Sequence, residues 1–284
     1  MNSFETIKKL RMQVRDWKSQ GLRIGFVPTM GNLHDGHLSL VELAKAHADR
    51  VVVSIFVNPL QFGPDEDFDS YPRTFESDQA KLLATGVDAV FYPAVDEMYP
   101  HGEFQTIVSV PETLTGLLEG ASRPGHFDGV TTVVAKLFNM VQADVAVFGQ
   151  KDFQQYCVIE RMVSDLALPV ELVKAPIARS EDGLALSSRN QYLTASQRVI
   201  APKLHTVLTD VAAALTSGNR NFNELQQTAQ QQLLSDGFDS VDYVQIVHPK
   251  SLQPSDSQDS EFAVLGVARL GKTRLLDNIL LNKI

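Results

Sequence analysis

Two histidines, His34 and His37, stand one helical turn apart in PTMGNLHDGH (residues 28–37), directly behind the apolar run RIGFV. Imidazoles at that spacing can ligate a metal, meet the oxygens of a phosphate, or only cap and pack a helix start. Lys151 and Asp152 stand in GQKDFQQ (149–155), again directly behind an apolar run, DVAVF. An ammonium there can neutralise an anion, and Gln155, four positions on, shares its face if the helix has already begun. Ser187, Ser188 and Arg189 in LALSSRNQYLT (184–194) offer two hydroxyls and a guanidinium fork, a donor set able to wrap a polyphosphate. In FVNPLQFG, Gln61 adds an uncharged amide that can read a hydroxyl or a carboxylate without titrating.

Each motif also has a blander reading. A metal needs more ligands than two histidines, and the chain holds one cysteine and no HExxH pattern. Asp152 can be a simple cap and Lys151 a surface charge, and Ser-Ser-Arg alone is common. The acidic residues Asp65, Glu66, Asp67 and Asp69 read as a solvated loop, and Asp128 as the cap of the helix that follows it. Arg123 and His126, in the same loop as Asp128, are candidates to face a ligand.

Position is what separates the readings. Short β-branched runs at 23–27, 50–57, 88–92, 144–148 and 170–173 alternate with helical patterns at 37–48, 73–86, 129–142 and 151–167, the signature of parallel βαβ units. Such sheets bind ligands beyond the carboxyl ends of their strands. PTMGNLHDGH, NPLQFG and GQKDFQQ each follow a strand, so they are expected to converge. Pro28 and Gly31 allow a close backbone approach, and the apolar period from Leu38 to Ala44 starts a helix whose free N–H groups favour an anion. Phosphate is therefore the physical favourite for the histidine motif.

After residue 194 the texture changes to a helical stretch at 195–216, a Gln-rich helix at 222–235, and apolar runs at 241–247 and 262–269, with a polar loop at 251–261 between them. The expected fold is α/β: a Rossmann-like parallel sheet over 1–176 and a smaller α+β domain over 177–284, with the 184–194 loop at the junction, able to close over a ligand.

The composition is that of a globular protein, with 44% hydrophobic and 21% charged residues among 284. The net charge of −9 disfavours a nucleic-acid surface but not a small anion held by a few local cations. The lone Cys157 excludes an internal disulfide. At the N-terminus, Phe4, Ile7, Leu10, Val14 and Trp17 read as an amphipathic helix rather than a signal peptide. No stretch has the length and apolarity of a membrane span, so a cytoplasmic protein is expected.

Taken together, the motifs resemble the pantothenate synthetase (pantoate–β-alanine ligase) family of the nucleotidylyltransferase superfamily over nearly the whole chain. PTMGNLHDGH looks like that family's form of the HIGH signature. FVNPLQFGPDEDFDSYPRT, SRPGHFDGVTTVV, GQKDFQQ and LSSRNQYL match its other blocks, and only the region after about residue 215 is weakly informative. The resemblance implies ATP-dependent condensation of (R)-pantoate with β-alanine through an enzyme-bound pantoyl adenylate, releasing AMP and pyrophosphate, with Mg²⁺ on the ATP phosphates, no protein metal ligand assigned, and a homodimer. It implies an ATP site made of Met30, Gly31, Asn32, Leu33, His34, Asp35, Gly36, His37, Gly149, Gln150, Lys151, Asp152, Ala178, Leu186, Ser187, Ser188 and Arg189. His34, His37, Lys151 and Arg189 would carry the catalysis, and Gln61, Gln155 and Asn58 would bind pantoate or β-alanine. Ser187, Ser188 and Arg189 stand where the superfamily's KMSKS loop has lysines, and Ala178 where a larger aliphatic residue is expected against adenine. A related enzyme acting on another acid, or a nucleotide-binding module without catalysis, are the rival readings.

Overall fold

Runs of β-branched residues buried on both faces have to lie inside a sheet covered by helices, and this dictates the first part of the molecule. The structure is a computed structural model that describes residues 1–64, 66, 68–102 and 105–283; Asp65 and Asp67 of the acidic run lie outside the described residues. The chain divides into two units, Met1–Gly149 with Gln154–Ala175, and Gln150–Phe153 with Pro176–Ile284.

In the first unit six parallel strands, β1 (Asn2–Phe4), β2 (Ile24–Thr29), β3 (Arg50–Ile55), β4 (Ala89–Phe91), β5 (Val145–Gly149) and β6 (Glu171–Ala175), lie in the order β1-β4-β3-β2-β5-β6. Helices α1 (Ile7–Ser19), α2 (Asp35–His47), α3 (Phe75–Ala84), α7 (His126–Val141) and α8 (Phe153–Asp165) accompany them, with short turns α4 (Val95–Met98), α5 (Glu112–Thr115) and α6 (Leu118–Ser122). The order reverses about β2, which pairs with β3 on one side and β5 on the other. A crevice at such a switch point is where an open parallel sheet takes its ligand, and the histidine motif follows β2.

Several boundaries differ from those the sequence suggests. Phe4 belongs to β1, paired with Phe91 of β4, and α1 starts only at Ile7, where the Thr6 hydroxyl accepts from the Lys9 amide. α7 starts at His126 behind Gly125, which has φ 78°, so Asp128 lies in its first turn and accepts from the Ser109 hydroxyl instead of capping. α8 starts at Phe153, which leaves Lys151 and Asp152 in a turn ahead of it, so Lys151 and Gln155 share no helix face.

The second unit holds α9 (Ala195–Ile200), α10 (Lys203–Thr216), α11 (Phe222–Ser235) and an antiparallel meander of β7 (Ser240–Val247), β8 (Phe262–Leu270) and β9 (Thr273–Leu281). Pro202 has no N–H and splits the expected 195–216 helix in two. Leu204, Leu208 and Val211 of α10 join Phe262 and Val264 of β8 in one core with Ala229 and Leu233 of α11. The polar 251–261 segment is mostly exposed, although Leu252 is buried. Among the described residues no helix is long and apolar enough to cross a membrane.

Candidate active site

The chain leaves β2 through a tight turn. Gly31 has φ 81° and Asn32 φ 51°, and a Cβ on Gly31 would stand 3.1 Å from both an Asp78 oxygen and Ile55. Asp78 of α3, fully buried, holds this turn by accepting from the Asn32 and Leu33 amides at 2.8 Å each and from the Thr74 hydroxyl at 3.0 Å. Lys81 donates to the Leu33 carbonyl at 2.6 Å, and the Thr29 hydroxyl accepts from Gly31 N–H while donating to the Ser54 carbonyl. Neither Asp78 nor Lys81 is among the residues the sequence points to. The backbone groups they hold lie more than forty positions away, and no local signal marks them.

His34 is the N-cap of α2. Its Nδ1 accepts from the Gly36 amide at 3.1 Å, while Nδ1 of His37 accepts from the His34 amide at 3.3 Å, a reciprocal capping box. The rings lie 4.1 Å apart, centre to centre, and both residues are half-buried. A nitrogen that accepts carries its lone pair, so in the neutral ring Nε2 carries the proton. The capping reading of the pair is thus what the hydrogen bonds show, with both Nδ1 atoms taken up by backbone amides.

A second cluster follows β3. The one-turn helix Pro59–Gln61 is capped by Asn58, which is 1% exposed, and all its amide atoms are engaged. Its Oδ1 accepts from Tyr99 OH and Leu60 N–H, and its Nδ2 donates to Gln61 Oε1 and the Gly129 carbonyl. Asn58 therefore stands behind Gln61 as a support. The Gln61 amide donates to Met30 Sδ at 3.0 Å, which brings two of the expected site residues together. The Gln61 carbonyl takes His126 Nδ1 at 2.7 Å and Arg123 Nη2 at 3.2 Å, and Arg123 also forms a two-pronged ion pair with Glu66 at 2.6 Å. Arg123, His126 and Glu66, read from sequence as ligand-facing or solvated, are thus engaged with one another and with the backbone of Gln61. Burial, then the Arg123 charge, lowers the His126 pKa to about 4, keeping the ring neutral.

On α8, Gln154 is buried and ties the 114–119 turn through Leu114, Leu117 and Glu119, while Gln155 beside it is half-buried. Cys157, the chain's one cysteine, is buried on the same helix, and burial pushes its thiol up to about 12. A cavity of about 400 Å³ is lined by Met30, Gly31, Ile55, Phe75, Tyr92 and Glu97, among others. Of the expected site residues it takes in Met30 and Gly31, and neither the histidines nor Gln61 line it.

In the second unit Lys151 lies 3.4 Å from Asp152, and the carbonyls of Gln150 and Lys151 each accept from Nδ2 of Asn278 at 3.0 Å. Ala178 and Leu186 are joined by a backbone bond and Arg179 bridges to Ala185, so the segment carrying Leu186, Ser187, Ser188 and Arg189 leaves a narrow hairpin. The Ser187 hydroxyl accepts from the Arg189 amide at the start of the 3₁₀ turn Ser188–Tyr192, an acceptor role that leaves its O–H able to donate. Among the described residues no group of three His, Cys, Asp or Glu side chains could hold a metal ion.

A parallel sheet ending in a glycine turn and a histidine-capped helix is the framework of α/β enzymes that hold a nucleotide at a strand end. The family model for pantoate-beta-alanine ligase matches residues 2–280. A pantothenate synthetase of Hydrogenovibrio crunogenus is 60% identical over 98% of this chain and 98% of its own. The solved pantothenate synthetase of Thermus thermophilus superposes with a TM-score of 0.90 at 46% identity, covering 98% of this chain and 99% of that one. The pantoate-beta-alanine ligase of Francisella tularensis, solved in complex with beta-gamma ATP and beta-alanine, superposes with a TM-score of 0.82 at 32% identity, covering 99% and 97%. The chain belongs to the pantoate-beta-alanine ligase family and is a ligase that forms a carbon–nitrogen bond.

Proposed function

We propose that this chain joins (R)-pantoate to β-alanine at the expense of ATP, through a pantoyl adenylate kept on the enzyme, with AMP and pyrophosphate released. The observation that carries the reading at the level of residues is the capping box of α2, in which both Nδ1 atoms accept from backbone, so that both Nε2 atoms carry the proton and can donate. N–H donors at a helix start stabilise phosphoryl oxygens.

In the first step a pantoate carboxylate oxygen attacks the α-phosphorus and pyrophosphate leaves. The nucleophile is already ionised at neutral pH, so no base is required, and the protein acts by orientation and charge stabilisation. His34, His37, Lys151 and Arg189 supply donors and positive charge, Met30 to His37 line the ATP with Gly149, Gln150, Asp152 and Ala178, and Leu186 to Ser188 complete the loop. Gln61 and Gln155 hold pantoate, with Asn58 setting Gln61. In the second step the free amine of β-alanine attacks the acyl carbon and AMP leaves. Water takes the amine's proton, since the Nδ1 atoms of both histidines already accept backbone N–H groups. Mg²⁺ bound with ATP would add charge neutralisation at the phosphates to that supplied by Lys151 and Arg189.

We further place the protein in the cytoplasm as a homodimer formed through the first unit, which light scattering tests. The deciding experiment for the reaction is product identification. Pantothenate and AMP should appear in equal amounts from pantoate, β-alanine and ATP, and ATP binding without AMP production would overturn the proposal.

A further inference from the structure

We infer that Asn278 of β9 is a positioning residue for Lys151, and that with its neighbour Asp277 it sets both nucleotide loops of the second unit from one point on one strand. Two consecutive carbonyls in a turn, those of Gln150 and Lys151, need donors they cannot find in a helix or a sheet. The carboxamide of Asn278 supplies them: its Nδ2 donates to both at 3.0 Å, and its Oδ1 accepts from Gln150 Nε2 at 3.0 Å. All three bonds come from a side chain that is 2% exposed, on a strand whose backbone is fixed opposite Leu265 of β8. The Gln150–Lys151 turn is thereby held from below at its backbone, which leaves the Lys151 side chain to reach the ligand.

Asp277 does the same for the other loop. It accepts both guanidinium nitrogens of Arg179 at 2.6 and 2.8 Å, and also the Asn278 amide at 2.7 Å. Arg179 opens the hairpin that delivers Leu186 to Arg189, and its Nη1 also donates to the Gly183 carbonyl within that hairpin. A two-pronged Arg–carboxylate pair fixes angle as well as distance. An Asp–Asn step, unusual inside a strand, is explained by this double duty. Asp at position 278 could not serve, because a carboxylate only accepts and would face two carbonyl oxygens.

The inference rests on the reading of Lys151 as a nucleotide contact, and a double-mutant cycle separates the two. Pantoate-dependent exchange of labelled pyrophosphate into ATP is measured for wild type, Asn278→Ala, Lys151→Ala and the double variant, with thermal unfolding in parallel. Asn278→Ala is expected to lower kcat/KM for ATP roughly 10- to 100-fold, the scale of an ångström-sized misplacement. It should have almost no further effect once Lys151 is alanine, because its action runs through that residue. Losses that multiply, or an Asn278→Ala protein with wild-type kinetics, overturn the inference while leaving the Lys151 reading intact. A Lys151→Ala protein with wild-type kinetics overturns the reading of the site, and the inference falls with it. If Asn278→Ala does not fold, Asn278→Ser, which puts a single hydroxyl donor in place of the amide that serves both carbonyls, carries the same cycle.

Discussion

His37 accepts from the His34 amide through Nδ1, so on the proposed reading its replacement removes a cap and a phosphate donor together. His37→Ala and Lys151→Ala should each lower adenylate formation in single turnovers by about 10²–10³, or ~3–4 kcal/mol. His37→Gln, whose amide nitrogen can occupy the place of Nε2, should retain more activity than alanine. His126 carries a different consequence. Its folded pKa, about 4, lies below the value of an unperturbed histidine, so the unfolded chain binds the extra proton first as pH falls. Stability is therefore full above about pH 6.5 and declines between there and pH 4, by up to ~3 kcal/mol. The groups around the ring are Arg123, Glu66, Glu119 and the Gln61 carbonyl. Urea midpoints at pH 7 and 4.5 should differ less in His126→Gln than in wild type. At this scale the motif residues can be read from sequence because chain neighbours share one turn. Asp78, Lys81 and Asn278 cannot, because each acts on backbone far away in the chain.

At the scale of elements, α7 and the Pro59–Gln61 turn meet backbone to backbone. A Cβ on Gly129 would stand 2.2 Å from the Leu60 carbonyl oxygen and 2.7 Å from the Gln61 amide, closer than atoms can approach. Gly129→Ala should destabilise the fold by about 1–3 kcal/mol and displace Gln61. Steady-state kinetics should then show KM for pantoate rising more than KM for ATP. The central strands β2, β3 and β5 are legible because continuous apolar runs bounded by Gly and Pro have few other uses. β1 is not: it has only Asn2–Phe4, and Phe4 also fits the helical period of α1. β9 is hidden because Asp277 and Asn278 are residues that strands disfavour, and they are there for the loops they hold. The helical pattern begins two residues ahead of α8 itself because Asp152 imitates a helix cap.

For the whole molecule, the order of events is the property to test. Exchange of labelled pyrophosphate into ATP should require pantoate and proceed without β-alanine; exchange supported by a different acid, with pantoate inert, would assign the chain to another substrate. The capture of Gln150–Phe153 by the second unit is not legible in the sequence, since Asn278 lies 128 positions from Gln150. The burial of Cys157 gives these questions a clock. With a single thiol, enclosed and held protonated, any thiol reagent has to wait for the surroundings of α8 to open, so the labelling rate counts openings at one known place. Labelling should be slow in the unliganded protein and slower still with ATP and pantoate bound, reporting occupancy without following any product.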